Sequence, residues 1–359
     1  MKFIHSTAII AVATLAFLTG SVRAEDHKIP IRVVVVTTFQ SGADNDPTGG
    51  EFGNWVLNLP LPITISFPQG YHHLRYNPDL QVLGMETGEF KAHAAASIMG
   101  LGMDPRFDLT KAYWIVAGIA GVDPNKASVA STAWAKFVVD GDLAYQIDAR
   151  EIPSDWSTGF VPFGRSSPYQ PPTPPAESLM GHQVYQLNGG LVDWAFQQTA
   201  NVLIPDDTNL QRVRVGYSTY PNALKPPFVL EGDSAASDAF WSGDLFNTWA
   251  ENWVSYWTRG QATFVMADGE DSAVGQALQF LTQAGKADQN RLLVLRSASN
   301  YNVQPQGKTP AQFLFDENNG GFSGFLESLN SVYQVGSVVV KELSTNWDTY
   351  RDQIPSPGH

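Results

Sequence analysis

The chain has no cysteine in 359 residues. Disulfides, thiolate metal ligands and cysteine nucleophiles are therefore excluded, and the core alone must hold the fold. Positive charge is scarce: 22 Lys and Arg stand against 35 Asp and Glu, a net charge of −13. Nucleic acids and anionic membrane surfaces are gripped by clusters of Lys and Arg, and none is present, so neither is an expected partner. No Asn-x-Ser/Thr sequon occurs, which removes N-glycosylation. After the first 20 or so residues, no apolar run approaches the roughly 20 residues that span a bilayer.

What the chain does have is apolar and aromatic bulk. It is 43% apolar, with 10 Trp, 12 Tyr and 20 Phe, enough for a large core and incompatible with disorder. The N-terminus carries Lys2, then the apolar segment Thr7–Gly20, then Val22-Arg-Ala24 with small residues at the −3 and −1 positions. This pattern is a secretory signal peptide, residues 1–24, cleaved after Ala24. The mature chain is expected to be secreted, periplasmic or held at the cell surface.

Strand-like and helix-like segments alternate, which indicates an α/β domain. Ile29–Thr37 is a β-branched run suited to a sheet buried on both faces, followed by the Gly-rich loop Gln40–Gly50 and a helix beginning at Glu51. Gln81–Met85, Tyr113–Ala117, Val213–Tyr217 and Phe228–Leu230 read as strands, and Val129–Tyr145 as further extended structure. The second half of Thr87–Met99, Leu187–Ala200, Asp244–Trp257 and Phe322–Leu343 read as helices, with Gly324 and Gly336 weakening the last. Pro153–Pro175 reads as loop, its Pro-rich part Pro168–Pro175 extended.

The polar residues of interest sit at strand and helix ends. Ala267-Asp-Gly-Glu270-Asp271-Ser272 puts an acidic pair at a helix start, and Leu292–Leu295 runs into Arg296-Ser-Ala-Ser299-Asn300. Ligands in open α/β sheets lie beyond the carboxyl ends of strands, so Glu270 and Asn300 are expected at one crevice. Gly118 and Gly121 follow a buried strand, where a ligand or backbone can approach closely. Arg296, on a buried strand, reads as an ion-pair partner for Asp271. His72 and His73 are adjacent, a spacing that divides them between the two faces of a strand, and no carboxylate is spaced to join them, so no metal site is expected. Asp44 and Asp46 read as solvated turn residues.

Three blocks, Phe107–Pro124, Phe240-Trp-Ser-Gly243 and Glu270-Asp-Ser272, resemble the purine nucleoside permease family, over essentially the whole chain after the leader. That family in turn resembles a branch of the nucleoside phosphorylase superfamily. The resemblance implies a single domain over residues 25–359, with a three-layer nucleoside-phosphorylase-like fold: a central mixed twisted sheet flanked by helices. It makes Gly118-Ile-Ala-Gly121 a turn after a strand, and sets Gly269-Glu270 where relatives have Met-Glu. Glu270 would then hold the ribose hydroxyls, Asn300 would hydrogen-bond the five-membered ring of the purine, and Trp241 with Phe240 would cover sugar and base. Asp271 and Ser299 would adjoin the ligand. Thr87-Gly88 matches an anion-holding turn, with Arg75 as the nearby guanidinium. Glu51, or less well Glu89, stands where hydrolytic relatives carry a water-activating carboxylate.

The function expected on this basis is an exported protein that binds purine nucleosides and cleaves the N-glycosidic bond by hydrolysis, with Glu51, Glu270 and Asn300 as catalytic residues and no cofactor. The alternatives are phosphorolysis with phosphate as co-substrate, or binding without chemistry in support of a membrane transporter. Homo-oligomerisation is expected from the same resemblance.

Overall fold

The computed structural model describes residues 28–169 and 183–358, so the expected leader and all but the start of Pro168–Pro175 lie outside the described residues. β1 (Ile29–Pro30) and β2 (Val33–Thr37) come first, and the four valines and threonine of β2 are all buried. The Gly-rich loop then reaches α1 (Glu51–Asn58). β3 (Ile63–Ile65), β4 (Leu74–Asn77) and β5 (Val82–Glu86) pair antiparallel in sequence. α2 (Phe90–Gly102) and β6 (Phe107–Asp108) precede β7 (Tyr113–Val122), whose ten residues are all buried. The short strands β8 (Thr132–Trp134), β9 (Phe137–Asp140), β10 (Ala144–Gln146), β11 (Phe160–Pro162) and β12 (Val184–Gln186) follow. After α3 (Gly189–Thr199) and α4 (Thr208–Arg214) come β13 (Val229–Glu231) and β14 (Asp233–Ala236). α5 (Asp244–Thr258), β15 (Phe264–Asp268), α6 (Asp271–Gln283) and β16 (Leu292–Tyr301) bring the chain back to the middle of the sheet. α7 (Pro310–Gly320), α8 (Phe325–Thr345) and the single turn α9 (Trp347–Tyr350) complete the fold.

The large sheet is mixed and twelve-stranded, with a path β12-β9-β14-β15-β7-β2-β5-β4-β3 and with β16 bridging β7 to β8. Its centre is β7, paired in parallel with β16 along almost its whole length. On its other edge, Tyr113–Val116 pairs with β2, while Gly121 and Val122 pair with β15. Residues 117–120 lie between those two ladders, and no described strand pairs with them on that side. A sheet that changes neighbour in mid-strand opens a crevice there, and the backbone groups facing it need other partners.

Side chains of β16 alternate between two helical layers. Leu295 meets α8 at Gly336, and Arg296 points the other way, to the start of α6. A Cβ at Gly336 would lie 3.0 Å from Trp55 of α1 and 3.1 Å from Leu295, so the glycine lets the long helix lie close on the sheet. That contact explains a residue whose helix propensity argues against its position.

Two segments differ from expectation. Val213–Tyr217 is not a strand but the end of α4 and a following 3-10 turn. The Asp207 carboxylate accepts from the Leu210 N–H at 2.9 Å, starting a helix that buries Leu210 and Arg214 four residues apart. Gly118–Gly121 is not a turn but the interior of β7, held straight by its ladder to β16. Helix α7 is an additional element, and its start is marked in sequence by a Thr309–Gln312 capping box with Pro310 in the first turn.

Trp55 is fully buried, edge-on to Tyr333 of α8 with ring centroids 5.1 Å apart. Trp55→Ala should lower unfolding stability by about 3–5 kcal/mol, read as a reduced denaturant midpoint at unchanged slope.

Candidate functional site

The crevice beside residues 117–120 is a cavity of about 190 Å3. Its floor is Ile119, Ala120 and Gly121. Its polar lining includes Thr38, Glu51, Glu270, Arg296, Ser299 and Asn300, and aromatic residues Phe39, Phe90, Phe240, Trp241, Phe322 and Phe325 close the remainder. Phe240 is 60% exposed and stacks on Phe322 at 5.7 Å, so these two rings stand at the mouth.

Glu51 begins α1 and is 1% exposed. Its Oε2 accepts from the Thr38 N–H at 2.6 Å and the Thr38 hydroxyl at 2.9 Å; its Oε1 accepts from the Ile119 N–H at 2.7 Å. The free edge of β7 thus finds its donor's partner in a side chain. Burial pushes the Glu51 carboxyl up to about 7, against the lowering pull of Arg296 and the donated N–H groups. The opposite pulls leave a carboxylate poised to change protonation near neutrality.

Arg296 is 2% exposed and gathers the acidic groups of the crevice. Its Nη2 donates to Glu270 Oε2 at 2.9 Å and Asp271 Oδ1 at 2.7 Å, its Nε to Asp271 Oδ1 at 3.1 Å, and its Nη1 to the Ile119 carbonyl at 3.0 Å. Asp268 Oδ1 lies 3.5 Å from Nη2 and Glu51 Oε1 3.9 Å from Nη1. Burial alone would lower the guanidinium's pKa, but Asp271, Asp268, Glu270 and Glu51 together hold it well above the ordinary value. Burial likewise raises Asp268 to about 7, and the Asp271 carboxylate adds to the effect. Asp268 also accepts from the N–H groups of Glu270 and Asp271 at 3.0 and 2.9 Å, which turns the chain from β15 into α6.

Gly118 is what lets these groups meet. A Cβ there would lie 2.6 Å from Glu51 Oε1 and would also strike Arg296 Nη1. Glu270 is held from the far side by the Phe90 N–H, which donates to Oε1 at 2.9 Å. Phe90 has φ 67°, an uncommon left-handed conformation for an aromatic residue, and its ring covers Gly269 with Cδ1 3.0 Å from where a Cβ would be. The aromatic ring of Phe90 therefore fills the space beside Gly269. Asn300 Oδ1 accepts from the Ser299 hydroxyl at 2.9 Å, and its Nδ2 makes a long, 3.4 Å approach to the Tyr301 carbonyl. The Asn300 side chain also lies beside the Glu317 carboxyl, which burial pushes up to about 7 against the lowering pull of Asn300.

The structure brings together Glu51, Gly121, Trp241, Glu270, Ser299 and Asn300 on one cavity, and Glu89 joins them. It does not bring Thr87, Gly88, Gly118 or Asp271 to its surface. The Thr87 hydroxyl turns back to the Thr37 and Gly88 carbonyls, at 3.3 and 2.8 Å. Gly88, at φ 80°, packs on Tyr71 and His93; Gly118 lies beneath Glu51, and Asp271 behind Arg296. Arg75 is also elsewhere, donating to the Leu61 carbonyl and the Thr64 hydroxyl on the sheet edge. The Arg296–Asp271 pair is as expected from the sequence, but its reach to Glu51 and Glu270 is not. Nothing local in sequence marks Thr38, Phe90 or Phe322 as lining residues, since each arrives from a different element. His72 and His73 are not on a strand and so are not divided between two faces: both immediately precede β4, and both Nε2 atoms meet Asp44.

A mixed sheet between helical layers, with a cavity where its central strand changes partner, matches the nucleoside-phosphorylase-like fold that the resemblance implies, and a solved structure of that fold superposes on it. The futalosine hydrolase structure of Helicobacter pylori strain 26695 superposes with a TM-score of 0.50, at 16% identity, covering 87% of this chain and 98% of the other. Residues 30–355 match the purine nucleoside permease family, and the chain belongs to it. A purine nucleoside permease of Candida albicans is 29% identical over 300 residues, 82% of this chain and 71% of that one. A probable purine nucleoside permease of Schizosaccharomyces pombe is 28% identical over 284 residues, 77% of this chain and 80% of that one.

Replacing the cation should expose how many carboxylates it neutralises. Arg296→Met is expected to lower stability by roughly 3–5 kcal/mol near pH 8, because the buried carboxylates lose their counter-charge. Folded-state pKa values raised above those of the unfolded chain mean that the folded state binds more protons, so stability falls as pH rises through about 7. The variant's melting temperature should therefore recover at pH 5 relative to pH 8, by calorimetry.

Proposed function

We propose that the protein binds purine nucleosides in this cavity and cleaves their N-glycosidic bond with water. The observation that carries this reading is Glu51: a carboxylate on the cavity, buried and pushed up to about 7, hydrogen-bonded on both oxygens and 3.9 Å from a guanidinium. Such a group can take the proton from a water as that water attacks the anomeric carbon. The bond electrons pass to the leaving purine, and the proton follows through solvent, giving base and free sugar. Asn300 Nδ2 would donate to the five-membered ring, where charge accumulates, and Glu270 would face the sugar hydroxyls and steady its developing positive charge.

Charge favours water over phosphate as nucleophile. Among the described residues the only cation lining the cavity is Arg296, and Glu51, Glu89, Asp268 and Glu270 line it too. A phosphate dianion would enter an acidic pocket without a free counter-charge.

A binding role without turnover is the second reading. It is favoured by Glu270, whose two oxygens already accept from Phe90 and Arg296, and by the permease name that the relatives carry. Among the described residues no helix is long and apolar enough to cross a membrane. On this reading the chain would hand nucleosides to a separate membrane transporter. In either case we place it outside the cell membrane after cleavage behind Ala24, and mass spectrometry of the exported protein should show Glu25 as the first residue.

Purified protein incubated with inosine or adenosine should release free base equally with and without phosphate; base only with phosphate would replace hydrolysis by phosphorolysis, and binding with no base released would leave the carrier role. Glu51→Gln should reduce the rate by about 10²–10⁴-fold with nucleoside binding retained. The base must be ionised to act, so the wild-type rate should climb as pH rises through about 7 and then level.

A further inference from the structure

Outside the cavity, three segments bring nitrogen and oxygen donors to one point. Asp44 lies in the Gly-rich loop, His72 and His73 immediately precede β4, and Glu86 ends β5. His72 Nε2 is 3.0 Å from Asp44 Oδ1, and His73 Nε2 is 2.5 Å from Asp44 Oδ2. The two rings lie with centroids 3.9 Å apart at 39°, so both present the same nitrogen to one side. One donor atom from each of the three residues falls within 4.8 Å of the others.

Glu86 is 4% exposed. Its Oε1 accepts from the Gln40 N–H at 3.1 Å, whereas Oε2 has only the 3.9 Å approach of His72 Nε2 among the described residues. Hydrogen bonds from the histidines satisfy Asp44, while Glu86 Oε2 faces His72 at 3.9 Å. A cation between Asp44, His72 and His73 accounts for their convergence, with Glu86 Oε2 approaching from the His72 side; two imidazoles and two carboxylates are a set that binds divalent first-row transition metals. The opposing charge is Arg75, whose Nη1 is 3.7 Å from Asp44 Oδ2. That guanidinium is already held by the Leu61 carbonyl and the Thr64 hydroxyl, and Glu89 adds a further carboxylate beside Glu86. The local balance is negative.

We propose that Asp44, His72 and His73, with Glu86 as fourth donor, form a binding site for a divalent transition-metal ion of the Zn2+ class. The ion would tie the loop that leads into Glu51 to the β4–β5 edge. The site stands apart from the nucleoside cavity and does not depend on what happens there.

The test is titration of the untagged full chain, stripped with chelator, with Co2+ and separately with Zn2+. Visible absorption reports Co2+ coordination, calorimetry the melting temperature, and elemental analysis after dialysis the stoichiometry. One ion per chain is expected, with Co2+ bands of a four- or five-coordinate nitrogen–oxygen site and a raised melting temperature. His72→Ala and His73→Ala should each weaken binding at least about tenfold, Glu86→Gln less, while the metal-free circular dichroism stays that of the wild type. No stoichiometric ion in the wild type overturns the proposal, whether or not a variant folds. Undiminished affinity in His73→Ala overturns it equally.

Discussion

A single guanidinium organises this molecule's polar interior. Arg296 emerges from the middle of the sheet and is contacted by carboxylates from α1, from the end of β15 and from the start of α6. Removing so many charges from water is tolerable only if each finds a partner of opposite sign or a donated N–H. Here every one of them does: Asp268 takes the backbone N–H groups of the α6 turn, Glu51 those of Thr38 and Ile119, and Glu270 that of Phe90. The cluster therefore fixes where three elements begin or end, and the crevice inherits that order.

Sheet topology supplies the other constraint. Because β7 loses β2 before it gains β15, a short stretch of its edge must be satisfied by side chains. Glu51 fills that need from the first turn of α1, which places a buried acid on the cavity beside this stretch of the sheet. Structure and chemistry thus arise from the same unpaired amides.

Much of this was legible from residue order. Continuous apolar runs such as Val33–Val36 and Tyr113–Ala117 have few alternatives to buried strands, and the Glu270 and Asn300 segments both follow an apolar strand. What was not legible depended on long-range pairing. Gly118 and Gly121 look like a turn because glycines usually break strands, yet the β16 ladder holds them extended. Val213–Tyr217 alternates apolar and polar residues like a strand, but a cap at Asp207 and burial four residues apart make it helical. Adjacent positions such as His72 and His73 take opposite faces only within a strand, and these two lie just before one. Thr87 kept its place beside the crevice in sequence but spends its hydroxyl on its own backbone neighbours.

One residue touches both halves of the charged pair. The N–H of Ile119 binds Glu51 and its carbonyl binds Arg296, at 2.7 and 3.0 Å. Acid and cation are thereby referenced to a common ruler in the best-tethered strand of the sheet. Breathing of the outer helices or drift in their sequence would carry both groups along together, leaving their mutual distance nearly constant while the rest of the shell is free to diverge.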